Sequence, residues 1–84
     1  MPRPTFPHTM LDLVHAVDGP LGLVVGDLPN GQLYVLKRNR KTPGYSLLGY
    51  RDVSRKDLLS SREIADRREA LNAMSEAIGL GERL

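Results

Sequence analysis

Three short apolar runs, separated by turn sequences, constrain the fold of this chain most. The runs are LGLVVGDL, QLYVLKRN and YSLLGYR, and the first includes adjacent β-branched valines, which favour a strand. Pro29, Asn30 and Gly31 separate the first two runs, and RKTPG separates the second from the third. Both linkers contain residues that preset or tolerate turn conformations. The sequence therefore predicts a three-stranded antiparallel β-meander over residues 21–51, with a bulge or close backbone approach at Gly49.

The segment before the first run carries the signals of a short N-terminal helix. Thr9 and Asp12 stand at the spacing of a capping box, and Gly19 followed by Pro20 is a helix stop. Apolar residues recur at helical spacing between these signals: Met10, Leu13, Val14 and Val17. A helix this short is marginal unless it packs against the rest of the protein. A strand over residues 10–18 therefore stays open as the alternative, with one face made of Leu11, Leu13, His15 and Val17.

The last third of the chain carries the strongest helix pattern. Ser60 and Glu63 form a capping box, and Gly79 stands where a glycine commonly follows a helix. One face between them is apolar, and consists of Ile64, Leu71, Met74 and Ile78. The pattern predicts a long C-terminal helix over about residues 60–78 that packs on the sheet. An earlier start is also open, at a second pair of capping residues, Ser54 and Asp57.

Length and composition bound the class of protein. The chain has 84 residues, which favours one domain, and it contains no cysteine, which excludes disulfides and thiolate metal sites. Residues 1–8 hold three prolines and predict a flexible arm, and residues 9–84 are expected to form a single α+β domain. A small core without cross-links favours association, so a homodimer is a reasonable hypothesis. No apolar run is long enough for a bilayer and no signal sequence is evident, so the expected location is cytoplasmic.

Positive charge is concentrated in the middle of the chain. The formal net charge of the whole chain is only +2. Residues 34–56 contain seven bases against one acid, which gives 7 − 1 = +6, and the segments before and after carry −2 each. The seven bases are Lys37, Arg38, Arg40, Lys41, Arg51, Arg55 and Lys56. Charged turns also keep small proteins soluble, but segregation of this size favours an anionic partner.

The seven bases form two groups on the predicted meander. The first four crowd the bend between the second and third strands, and the last three follow the third strand. At about 3.3 Å per strand residue, the two groups outline a stripe roughly 20 Å long, which suits a run of phosphates. Tyr45 and Tyr50 lie along it and can stack on bases or donate to phosphate oxygens. The sequence therefore predicts a non-enzymatic module that contacts nucleic-acid phosphates, in DNA or RNA, through a basic β-hairpin surface.

A second function class uses the same basic surface. Small accessory or inhibitor proteins of mobile elements have this size, and such a protein would dock its basic surface on an acidic protein partner. A protein interface depends on apolar anchors as well as on arginines, and Leu48 is the candidate anchor.

Metal binding and catalysis find little support in the residue pattern. His8, Asp12 and His15 have the spacing of one helical face, but Pro7 and the cap at Thr9 remove His8 from the helix, and no fourth ligand is evident. No phosphate-binding loop, nucleophile elbow or metalloprotease motif is present. We therefore expect no metal, no cofactor and no enzymatic activity. A metal-free ribonuclease built from His15, the tyrosines and the arginines is the remaining enzymatic alternative.

The order of predicted elements resembles known nucleic-acid-binding folds in outline only. Helix, three strands and helix is the order in double-stranded-RNA-binding domains, and three strands followed by a helix is the order in phage integrase arm-binding domains. The chain carries no motif diagnostic of either family, and the lysine-rich entry to the second helix of the former is absent. Likeness of fold alone says little about function.

Overall fold

A computed structural model of the protein describes residues 9–20 and 22–84. The arm predicted for residues 1–8 lies outside the described residues. Within them the α+β class is confirmed, and six elements follow one another: α1 (Met10–Asp18), β1 (Leu23–Asp27), β2 (Leu33–Arg38), β3 (Tyr45–Tyr50), β4 (Leu58–Ile64) and α2 (Arg67–Ala77). Neither helix is long and apolar enough to cross a membrane, as far as the described part of the chain goes.

The predicted meander forms, but it has four strands rather than three. The strands lie in the order β1-β2-β3-β4 and each pair of neighbours is antiparallel. The added strand, β4, uses residues that the sequence pattern placed at the start of the C-terminal helix. Its partner β3 explains the difference, because no residue of β3 is exposed and a strand of that kind needs neighbours on both sides.

The C-terminal helix is correspondingly shorter than predicted, with 11 residues. The capping box expected at Ser60 and Glu63 is wrong, since both residues lie in β4, and so is the earlier start near Ser54. The actual N-cap is Asp66, whose carboxylate accepts a hydrogen bond of 3.1 Å from the backbone N–H of Glu69. The expected glycine does follow the helix, because Gly79 has φ +74° just after the C-cap.

The N-terminal helix is confirmed, and the strand alternative for residues 10–18 is wrong. Thr9 and Asp12 form the predicted capping box, in which each side chain accepts a hydrogen bond from the other residue's backbone N–H. Buried residues on one side of the helix anchor it: Met10, Leu13 and Val17. Packing thus supplies the stability that the short helix lacks on its own.

Both helices cover the same face of the sheet. α1 lies against β1 and β2, α2 lies against β2, β3 and β4, and the two helices contact each other. Val24, Leu36 and Leu47 are aligned across three strands on this helix-facing side and belong to the buried core. The next row holds the close approach predicted at Gly49, which stands beside a bulge in β4 and leaves room for Ser60 and the ring of Tyr34.

Candidate nucleic-acid interface

The loop between β2 and β3, residues 39–44, carries the first basic group to one end of the sheet. Arg38, Tyr45 and Ile64 are aligned at this end, so the loop lies beside the connection from β4 to α2. We call this the hairpin end. Arg40 and Lys41 are exposed in the loop itself. Lys37 precedes them on the face away from the helices, where it is paired with Ser46.

Arg38 points to the opposite face from Lys37, because side chains alternate along a strand. One guanidinium nitrogen is 3.5 Å from the carbonyl oxygen of Val17, in the last turn of α1. A cation at that position is favourable for the helix dipole. Arg38 therefore helps to hold α1 on the sheet as well as adding charge at the hairpin end.

A network of polar side chains fixes the base of the basic loop. The hydroxyl of Ser46, nearly buried on β3, lies 2.8 Å from the side-chain oxygen Oδ1 of Asn39 and 2.9 Å from a carboxylate oxygen of Glu63. The amide nitrogen of Asn39 donates to the other oxygen of that carboxylate, at 3.1 Å. The backbone N–H of Asn39 donates to the carbonyl of Gly44 and closes the loop. The loop that carries Arg40 and Lys41 is thus tied to two strands.

The second basic group lies at the other end of the sheet, in the loop of residues 51–57 between β3 and β4. We call this the loop end. Arg51 forms an exposed ion pair with Asp57 at 3.5 Å, whereas Arg55 and Lys56 are exposed at the tip. Asp52 organises the turn by accepting bonds from the backbone and hydroxyl of Ser54, and these bonds lower the pKa of its carboxyl.

One copy of the chain does not bring the two basic groups together. They lie at opposite ends of β3, whose six residues span roughly 20 Å. The two tyrosines are also separated: Tyr45 packs against the core on the helix-facing side, whereas Tyr50 is paired with Leu33 on the other face. The predicted single stripe is therefore two basic ends joined by a largely apolar sheet.

The acids and the bases of the protein differ in how they are used. Among the described residues, many carboxylates accept internal hydrogen bonds or ion pairs: those of Asp12, Asp18, Asp52, Asp57, Glu63, Asp66 and Glu82. Five of the seven predicted site bases make no such contact with residues 9–20 or 22–84, namely Lys37, Arg40, Lys41, Arg55 and Lys56. The internal acids stabilise the fold, and the bases at the two ends remain available to an external anion.

The sequence analysis missed two bases that α2 brings to the hairpin end. Arg67 and Arg68 begin that helix, just after the residues paired with β3. Arg67 donates to Asp18 at 2.6 Å, and this bond lowers the pKa of Asp18 and raises that of Arg67. The sequence put both arginines inside a longer helix. Asp66 was the signal that could have placed the two arginines correctly, because aspartate is a favourable N-cap and predicts a helix that begins at Arg67.

No metal site is evident in the described ranges. No cluster of three metal-ligating side chains occurs in residues 9–20 and 22–84. His15 is exposed on α1, Asp12 belongs to the capping box, and His8 lies outside the described residues. A shallow cleft of about 230 Å³ lies between α2, β4 and the C-terminal tail. Two arginines, Arg62 and Arg83, and two glutamates, Glu69 and Glu76, balance the charge of its lining.

Comparison of the chain with known protein families, with characterised proteins and with solved structures finds no significant match.

The conformation of Arg55 leads to a stability prediction. Its φ of +60° is in the left-handed region, which costs a residue with a Cβ about 1 kcal/mol relative to glycine. Arg55→Gly is therefore expected to raise the free energy of unfolding by about 0.5 kcal/mol, after allowance for the entropy of glycine in the unfolded chain. Urea unfolding measures the change.

Arg55→Ala is the matched control, because it removes the same charge and keeps the strained backbone. Equal stability of the alanine and glycine variants would contradict the argument. Backbone strain is often retained at functional positions, so an arginine at this bend agrees with a role for its side chain outside the fold.

Proposed function

We propose that the protein is a non-enzymatic module that binds nucleic acid by its phosphates, with the hairpin end as the primary contact surface. The observation that carries the proposal is the set of exposed bases at this end that have no partner among residues 9–20 and 22–84, on a loop fixed by Asn39, Ser46 and Glu63. A fixed loop loses less conformational entropy on binding than a mobile one, so its cations are favourable phosphate ligands.

The chemistry of this surface favours backbone contacts over base recognition. Lys37, Arg40 and Lys41 are point or forked cations, and the amide of the neighbouring Asn39 is already hydrogen-bonded to Ser46 and Glu63. Tyr45, the aromatic residue that directly follows the loop, packs against the core. We therefore expect modest sequence discrimination and strong dependence on salt, since affinity comes mainly from counterion release.

The test is a titration by fluorescence anisotropy with three labelled ligands: double-stranded DNA, single-stranded DNA and duplex RNA. Each titration is run at about 50 and 200 mM salt, where binding through several phosphates is expected to weaken by at least tenfold. The three affinities then define the preferred form. Absence of binding at the lower salt concentration, or affinity that salt leaves unchanged, would overturn the proposal.

The protein-interaction alternative is supported by a different feature, the face of the sheet away from the helices. Val25 and Leu48 are partly exposed there, in a row that crosses the strands. An acidic protein partner would use such apolar anchors together with the bases. Leu48→Ala should sharply weaken binding to a protein partner and leave nucleic-acid binding nearly unchanged.

A further inference from the structure

β4 is an open edge of the sheet within the described part of the chain. It has seven residues, and the first six are exposed. Natural proteins commonly protect an edge with proline or lysine. Pro20 and Pro29 lie close to the two ends of the other edge strand, β1, whereas β4 contains neither proline nor lysine, and its charged residues are Arg62 and Glu63. Each of the two edge strands packs against a helix on one face of the sheet. Leu58 and Leu59 at the start of β4 are about half exposed, at 53% and 49%.

We propose that β4 pairs antiparallel with β4 of a second copy of this chain, around a two-fold axis at Ser61. This inference rests on the proposed function, which it extends by completing the binding surface. The axis stands normal to the sheet, so the helices of both copies cover the same face and the two sheets join into one.

The length and the charges of β4 together favour this register. Ser61 is the midpoint of Leu58–Ile64 and lies opposite Ser61 of the second copy. Ser60 then lies opposite Arg62 of the second copy. Beyond the bulge at Leu59, only even shifts keep residues of the same face opposite each other. The next even shift in either direction leaves two residues at one end of β4 without a partner, and in one direction it also places Arg62 opposite Arg62, where like charges are destabilising. The register at Ser61 has no like charges directly opposite.

The same axis brings the two basic groups together. Because the strands of the second copy run in the opposite direction, its loop end lies beside the hairpin end of the first copy. Three strand spacings separate the two loops, which is about 14 Å. Within one copy the groups are further apart and at opposite ends. At each end of its strands, the joined sheet therefore presents Arg40 and Lys41 from one copy together with Arg55 and Lys56 from the other.

Nucleic acid is expected to strengthen this dimer. A pair of edge strands buries less area than most stable interfaces, so the dimer alone should be weak and dependent on concentration. A duplex that contacts both basic groups at one end of the joined sheet binds the dimer better than the monomer. By linkage, the ligand then raises the fraction of dimer.

The experiment uses the full chain, which has no native cysteine. In the proposed register the Cα atoms of the two Ser61 residues are about 4.5–5.5 Å apart, which a disulfide can bridge. Ser61→Cys should therefore oxidise to a covalent dimer at least tenfold faster than two controls, because pairing raises the effective concentration of the thiols. The controls are Ser60→Cys, which stands two residues out of register, and Ser54→Cys at the loop end.

Sedimentation velocity of the unmodified chain supplies a second measurement that needs no cysteine. Its mass should rise toward that of a dimer with concentration, and Ser61→Lys, which sets two cations at the axis, should shift the equilibrium toward monomer. Cross-linking of Ser61→Cys no faster than the controls, or a monomer at every concentration with and without duplex DNA, would overturn the dimer. Nucleic-acid binding that persists in that case would leave the proposed function standing, so the two failures are distinguishable.

Discussion

Replacement of Arg40 and Lys41 by alanine is expected to weaken nucleic-acid binding by about tenfold or more at 0.1 M salt. Both side chains are exposed in the loop of residues 39–44 and make no hydrogen bond or ion pair within the described ranges. Two lost phosphate contacts should also reduce the slope of log affinity against log salt by about 2. Anisotropy titrations over a series of salt concentrations measure both quantities.

The double variant should fold as well as the original chain. Substitutions at exposed positions without partners usually change the free energy of unfolding by less than about 0.5 kcal/mol. The loop itself is held by Asn39, Ser46 and Glu63, none of which is altered. A loss of affinity can therefore be assigned to the contact surface rather than to the fold.

Arg83→Ala is the matched control for the single variants Arg40→Ala and Lys41→Ala, because each removes one positive charge. Arg83 lines the shallow cleft beside α2, where Glu69 and Glu76 offset it. Local neutrality and screening over about 10 Å limit its effect on a ligand at the hairpin end. Equal losses in the three single variants would mean that affinity follows net charge alone, which would contradict a defined contact surface.

Local signals predicted α1 and the first two turns of the sheet because nothing in the tertiary structure opposes them. Thr9 and Asp12 form the capping box that their spacing indicates. Gly31, in the turn before β2, has φ +92° with open space around it, as a turn glycine should. In these segments the backbone preference of each residue and the packing of the element favour the same structure.

Residues 58–64 show where such signals fail. Ser60 and Glu63 match a helix start, yet pairing with β3 supplies a ladder of backbone hydrogen bonds, interrupted by one bulge, and buries Ile64. That gain exceeds the contribution of one cap, which is about 1 kcal/mol. The deciding signal was in another part of the chain. YSLLGY is a central strand with no exposed residue, so it required a fourth strand as its second neighbour.

The candidate site was predicted in composition but not in arrangement. Charge segregation identified the bases at both ends of β3. Two features depend on strand register and on the true start of α2: which of Tyr45 and Tyr50 faces the helices, and the position of Arg67 beside Asp18. A one-residue change of register would reverse the faces of a strand, so a pattern along the chain could not determine them.

Gly26→Ala is expected to lower the free energy of unfolding by about 1–3 kcal/mol, the usual cost of overpacking a core. A Cβ at this position in β1 would stand 2.5 Å from Cγ2 of Ile78 and 3.1 Å from Cε of Met74. Both neighbours are buried, and Ile78 caps α2, so neither can move without disturbing the contact between the helix and the sheet. For a domain of this size the midpoint of thermal unfolding should fall by roughly 4–8 °C per kcal/mol.

A double-mutant cycle separates the clash from other effects of alanine. Ile78→Ala removes the methyl group that the new Cβ would meet, so the combined variant should be more stable than the sum of the two single changes predicts, by at least about 0.5 kcal/mol. Gly26 is not among the glycines with positive φ, so left-handed backbone strain adds nothing to the cost of its replacement. Additive losses in urea unfolding would mean that the side chain of Ile78 does not pack on Gly26.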